Sequence, residues 1–202
     1  QSQAGGGIAT GYAALEQGKY GDAERSFTEL LDRKEGPRFF LHWYWPMNAQ
    51  LGLSNVWLAS GNLRKARLEA DRFLQSALST AEPNLHALAW EVGARVAMAE
   101  KDWSGAEEKI EKGLAVLQNY EIPTTAWRVH ATRSDLYRQA KDETAAEAER
   151  ARAEAIILTL ANSFAPDDPV RHAFLAPAPV RRIRRIEGGN KRGRHRRPGP
   201  KP

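Results

Sequence analysis

A four-point signature recurs along this chain, its copies starting 43, 40 and 40 residues apart. It runs Gly18-Tyr20-Ala23-Phe27, Gly61-Leu63-Ala66-Ala70, Lys101-Trp103-Ala106-Ile110 and Lys141-Glu143-Ala146-Arg150, with internal offsets of +2, +5 and +9. A period of that size marks a repeat array, in which each unit buries its apolar face by stacking on its neighbours. Such a chain folds as a line of similar units and carries its function on a surface, not in a catalytic pocket.

Each signature straddles a helix–turn–helix junction. Apolar residues at three- and four-residue spacing precede it, as in Leu51, Leu53, Val56, Trp57, Leu58 or Leu88, Trp90, Val92, Val96, Met98. The turn holds Gly18, Gly61, or a Lys-Asp pair at Lys101-Asp102 and Lys141-Asp142. Glycine suits the left-handed backbone that ends a helix, and Asn62, Asp102 and Asp142 stand where a side chain caps the next one. The Ala at +5 lets the second helix come close to the first, and the bulkier residue at +9 fills the space one turn on. The pattern predicts four helix pairs, at 8–17 with 20–33, 46–60 with 63–80, 84–100 with 103–118, and 124–140 with 143–164. Pro37, Pro83 and Pro123 fall between pairs, where a missing amide does little harm. Pro46 belongs to the first turn of a helix starting near Trp45 or bends a longer one from near Arg38. A short helix over 169–176, begun by Asp168-Pro169 and stopped by Pro177 and Pro179, is expected to cap the array.

The charge is divided unevenly. Residues 180–202 hold ten Lys/Arg against Glu187 alone, a net of +9, so residues 1–179 carry −4. Residues 1–7 are expected to form a flexible leader, 8–176 the repeat domain, and 177–202 a disordered basic tail, most plainly from Gly188 onward. The absence of cysteine excludes disulfides and thiolate metal sites and fits a reducing compartment. No apolar run reaches the roughly 20 residues that span a bilayer, so a cytoplasmic location is expected. The start at Gln1 suggests a piece of a longer polypeptide.

These residues resemble the tetratricopeptide repeat family, whose pattern sets a small residue midway along the first helix and an aromatic three later. Here the small position is Gly11, Ser54, Ala94 and Ser134, followed by Ala14, Trp57, Ala97 and Tyr137. The resemblance covers about 8–164 and is degraded in the fourth copy, where Glu143 and Arg150 replace apolar residues. It implies an all-α, right-handed α-solenoid of four hairpins. The long period is similar to that of arrays at the C-terminal end of large bacterial signalling proteins. The resemblance further implies a concave binding face three before, one after and four after the small residue. Those positions are Leu51, Asn55, Leu58, Glu91, Arg95, Met98, Ala131, Asp135 and Arg138, with Tyr12 from the first copy. They lack the Lys/Asn cluster that would clamp a peptide's terminal carboxylate.

Catalytic chemistry finds no foothold. Gly5-Gly6-Gly7 lacks the lysine and strand of a phosphate loop. His42, His86 and His130 slide by a helical turn per repeat, too far apart to share an ion, so no metal and no cofactor is expected. Glu107-Glu108 and Glu147/Glu149 fall on solvated faces with Arg150 and Arg152 as partners. Trp57, Trp90 and Trp103 fall at core or inter-repeat positions, whereas Trp43, Trp45 and Trp127 lie near helix starts, where a groove would expose them. The expectation is a non-enzymatic protein–protein interaction or regulatory module. Its partner is a peptide, a protein, or another domain of the same polypeptide. The alternative is a nucleic-acid- or anionic-surface-associated protein anchored by the tail Arg181–Lys201, which has cations but no interleaved aromatics to stack bases.

Overall fold

The computed structural model describes residues 2–32 and 44–184, and among them every regular element is helical. The elements are α1 (Ser2–Glu16), α2 (Tyr20–Leu31), α3 (Tyr44–Ala59), α4 (Leu63–Leu78), α5 (Pro83–Ala99), α6 (Trp103–Asn119), α7 (Pro123–Gln139), α8 (Glu143–Asn162), α9 (Pro169–Leu175) and α10 (Ala178–Arg184). The aromatic stretch from Phe39 to Trp43, with His42, lies outside the described residues, as does the chain from Arg185 onward.

One turn design joins α1 to α2, α3 to α4, α5 to α6 and α7 to α8. Gly18, Gly61, Lys101 and Lys141 all have positive φ, between 62° and 76°. In each turn the next amide reaches back to a carbonyl five residues earlier, as Asn62 to Trp57 at 2.9 Å and Asp102 to Ala97 at 2.9 Å. Asn62, Asp102 and Asp142 then accept from the backbone amides of Lys65, Gly105 and Ala145, the expected caps. Ala23, Ala66, Ala106 and Ala146 are at most 1% exposed, which places the recurring small side chain at the closest approach of the paired helices.

Packing proceeds in neighbouring pairs, and the odd-numbered helices also touch in succession, α1 on α3, α3 on α5 and α5 on α7. The 40-residue period appears as direct contact between equivalent positions. Arg95 bonds Asn55, Thr125 bonds Asn84 and Thr132 bonds Glu91, partners 40 or 41 residues apart. The cores lie between pairs. Phe27 fills the first with Leu53 and Val56, and Phe73 fills the second with Leu85 and Val92.

Several expectations need correction. Residues 2–7 are not a leader but belong to α1, where a side chain at Gly7 would meet Leu30 at 3.2 Å, so the glycine gives α2 a close seat. Pro179 does not stop a helix. It sits in the first turn of α10, where its missing amide costs nothing, and α10 occupies part of the segment expected to be disordered. Val180 and Ile183 are buried there against Trp127, Ala153 and Ile157, and Phe174 and Leu175 of α9 pack half-buried on the same cluster, so α9 and α10 together cover the end of the array. Trp127 is accordingly 5% exposed, no groove residue, while Trp103, expected at a core or inter-repeat position, is 43% exposed at the start of α6.

Candidate functional site

Four of the residues expected on the concave face come together as one polar row across the odd-numbered helices. Tyr12 of α1 packs edge-on against Phe27, ring centres 5.2 Å apart, and its hydroxyl hydrogen-bonds the side chain of Asn55 on α3. Asn55 Oδ1 accepts from Arg95 Nη2 of α5 at 2.5 Å. Arg95 Nε pairs with Glu91 Oε1 one turn back at 2.8 Å. The same Glu91 oxygen accepts from Thr132 Oγ1 of α7 at 2.7 Å. Glu91 is buried, and its carboxylate has a cation and a hydroxyl, as a charge withdrawn from water requires.

Arg128, on α7, lies close enough to Tyr12, on α1, for each to alter the other's ionisation. Burial pushes the Tyr12 phenol up to about 12, with Arg128, Arg95 and the Asn55 hydrogen bond pulling the other way. Arg128 stacks on Trp127, its guanidinium carbon 4.4 Å from the ring centre. Nearby protein strips part of its hydration and lowers its pKa, an effect opposed by Glu91 and Tyr12. Among the described residues no carboxylate pairs with Arg128 directly, so the row ends on a cation that remains open to solvent.

The remaining expected positions separate from this row. Leu51 is buried and Leu58 half-buried in the core between α3, α4 and α5. Met98 is half-buried near the end of α5, and its carbonyl closes the Lys101 turn. Asp135 and Arg138 pair with each other at 2.9 Å and lie beside α10, whose Arg182 donates to the other Asp135 oxygen at 2.7 Å. That second cluster includes Arg150, only 5% exposed at the +9 position where an apolar residue was expected. Its guanidinium takes Glu147 and Glu154 as ion-pair partners and donates to the carbonyl of Ile183 at 2.9 Å. The hydrogen bonds it donates to Glu147 lead the effects that raise its pKa, so the departure from the pattern is a polar anchor and not a defect.

Sequence reasoning missed Arg128, Thr132 and the role of Arg150. Thr132 was findable, since it follows Glu91 by one repeat period plus one residue. Arg128 carried no such signal, because its nearness to Tyr12 depends on how helices far apart in sequence stack. The histidines have separate employments. His86 Nε2 lies 2.9 Å from the Thr80 carbonyl and His130 Nδ1 lies 2.6 Å from Glu149 Oε2. Among the described residues no three His, Asp or Glu side chains are grouped to hold a metal, and no helix is long and apolar enough to cross a membrane. No protein-family model matches the chain, and no curated protein matches it.

Proposed function

We propose that the chain is a non-catalytic protein–protein interaction module, a right-handed tetratricopeptide-type array of four hairpins that holds a partner segment along its inner face. The carrying observation is the continuous row Tyr12–Asn55–Arg95–Glu91–Thr132, which places polar groups from four helices on one surface, fixed before any partner arrives. A surface ordered in advance binds at low entropic cost, which is how a modest interface gains affinity. The row offers hydroxyl, amide and guanidinium groups to a peptide main chain, and Arg128 offers it a cation with an aromatic backing. The ligand is a peptide or domain surface with an acidic residue opposite Arg128. In keeping with the family resemblance, the module belongs to the C-terminal part of a larger bacterial signalling protein in the cytoplasm, and its partner can be another domain of that polypeptide.

The test starts with peptides selected from a random display library against the whole chain. Their affinities are then measured on Arg95→Ala, on Arg128→Glu and on an outer-face control, Glu107→Ala. Inner-face changes should weaken binding by about tenfold or more, the loss of one good contact, and the control should not. A selection that returns no binders, or binders indifferent to both inner-face changes, would remove this reading.

A further inference from the structure

Three positions recur in register in the first helix of each hairpin, and only α1 leaves them all exposed. In α3 they are Ala49, Gly52 and Val56, all buried. Ala49 and Val56 share a core with Phe27 and Leu30 of the preceding α2, and a side chain at Gly52 would meet the Phe27 ring. Forty residues on, α5 buries Ala89, Val92 and Val96 in one cluster with Phe73 and Ala77 of α4. Forty further, Val129 of α7 packs with Ile110 of α6, Thr132 bonds Glu91 of α5, and Leu136 is half-buried. Counting back 43 residues from α3, the same positions in α1 are Gly6, Ala9 and Ala13. All three are exposed.

That face has the character of a seam and not of an end. From Ser2 to Leu15, α1 carries no charged residue. A helix that closes an array turns a polar outer face to water, as α10 does at the other end with Arg181, Arg182 and Arg184 exposed. The side chains on the α1 face are as small as those of α3, where Gly52 makes room for the Phe27 ring of its neighbour.

We propose that this face of α1 is the seat of one more hairpin of the same kind, supplied by the same polypeptide ahead of α1. Continuity with three internal interfaces specifies the occupant. Its second helix lies on α1 as α2 lies on α3 and as α4 lies on α5. It brings a bulky apolar side chain opposite Ala9 and another apolar residue three or four places on, the pattern of Phe27 with Leu30 and of Phe73 with Ala77. The inner face then continues past Tyr12, whose column runs on through Asn55 and Arg95, and the added first helix supplies one more residue to the polar row. The seat is at the opposite side of α1 from the α2 core and stands whether or not the row holds a peptide.

The experiment lengthens the whole chain by a copy of residues 44–83 placed directly ahead of Gln1, which keeps the register because Asn84 is the equivalent of Gln1. Within the copy, Leu53→Thr and Val56→Ala give its own outer face the residues that α1 has there. Parent and lengthened chain are each compared with their Ala9→Glu/Ala13→Glu forms by thermal unfolding and sedimentation equilibrium. The lengthened chain should melt in one transition at least about 5 °C above the parent, as nearest-neighbour stacking requires. The two glutamates should leave the parent's Tm within about 2 °C, because they face water. They should lower that of the lengthened chain by about 5 °C or more, because there they are buried unpaired. Two separate transitions, a lengthened chain indifferent to the glutamates, or a parent unfolded by them each overturn the proposal. So does a parent that sediments as a dimer and is dissociated by the glutamates, since the seat then belongs to a second copy.

Discussion

Replacing Gly52 by alanine sets two effects of opposite sign against each other. Alanine is the better helix former by roughly 1 kcal/mol in a helix interior, and Gly52 stands in the middle of α3. A Cβ at that position, however, would lie 2.5 Å from Cε1 and Cζ of Phe27. From the other side, a Cβ at Gly11 would lie 2.6 Å from the same two atoms. The fully buried ring thus fills the space between two glycine backbones and has nowhere to retreat. Overpacking costs about 1–3 kcal/mol, and a clamp on both faces puts this site near ~3. The net is a loss of about 2 kcal/mol, or a fall of about 4–8 °C in Tm for a chain of this size. Gly93→Ala supplies the control. Its Cβ would meet only the Lys109 side chain, Cδ at 3.2 Å and Cε at 3.6 Å, a flexible stem that can swing away. It should gain about 0.5–1 kcal/mol. Thermal and urea unfolding followed by circular dichroism measure both. A Gly52→Ala protein as stable as its parent, or a Gly93→Ala protein that loses as much, refutes the reasoning.

Two further outcomes follow from the backbone and the inner face. Tyr12, raised from 10.0 to about 12, favours the fold while neutral, so its contribution is complete below the ordinary phenol pKa and disappears as pH rises through about 12. The loss approaches ~2 kcal/mol, discounted for a half-buried group. Late phenolate absorbance from one of five tyrosines, absent in Tyr12→Phe, is the measurement. Lys101 and Lys141 hold φ of 65° and 62°, so Lys101→Gly and Lys141→Gly should each stabilise by about 0.5–1 kcal/mol in urea unfolding. A destabilised Lys101→Gly would contradict the turn geometry.

What was legible in the sequence was locally encoded. A left-handed turn needs Gly or a tolerant residue, a cap needs Asn or Asp, and a close helix crossing needs Ala, so these columns recur in register and announce themselves. What was hidden depended on tertiary partners. A triple glycine looks flexible until Leu30 of α2 packs on Gly7. Val180 and Ile183 form a two-residue apolar stripe lost among arginines, and only the exposed end of α7 and α8 makes a helix of it. Arg150 breaks the pattern because its partner is the backbone of α10, 33 residues away. Of the residues expected on one face, Tyr12, Asn55, Glu91 and Arg95 fall in one polar row, whereas Leu51 and Leu58 turn into the core and Asp135 and Arg138 lie beside α10.

The central claim is that the odd-numbered helices share one inner surface, on which Tyr12 of α1 and Arg128 of α7 lie near each other. The chain has no cysteine, so Tyr12→Cys/Arg128→Cys accepts a pair of spin labels without background. Electron–electron resonance on that pair should give a narrow distance distribution well below about 24 Å, the separation of helix axes three interhelical steps apart. A broad distribution, or one centred at that span or beyond, would mean that no shared inner surface exists.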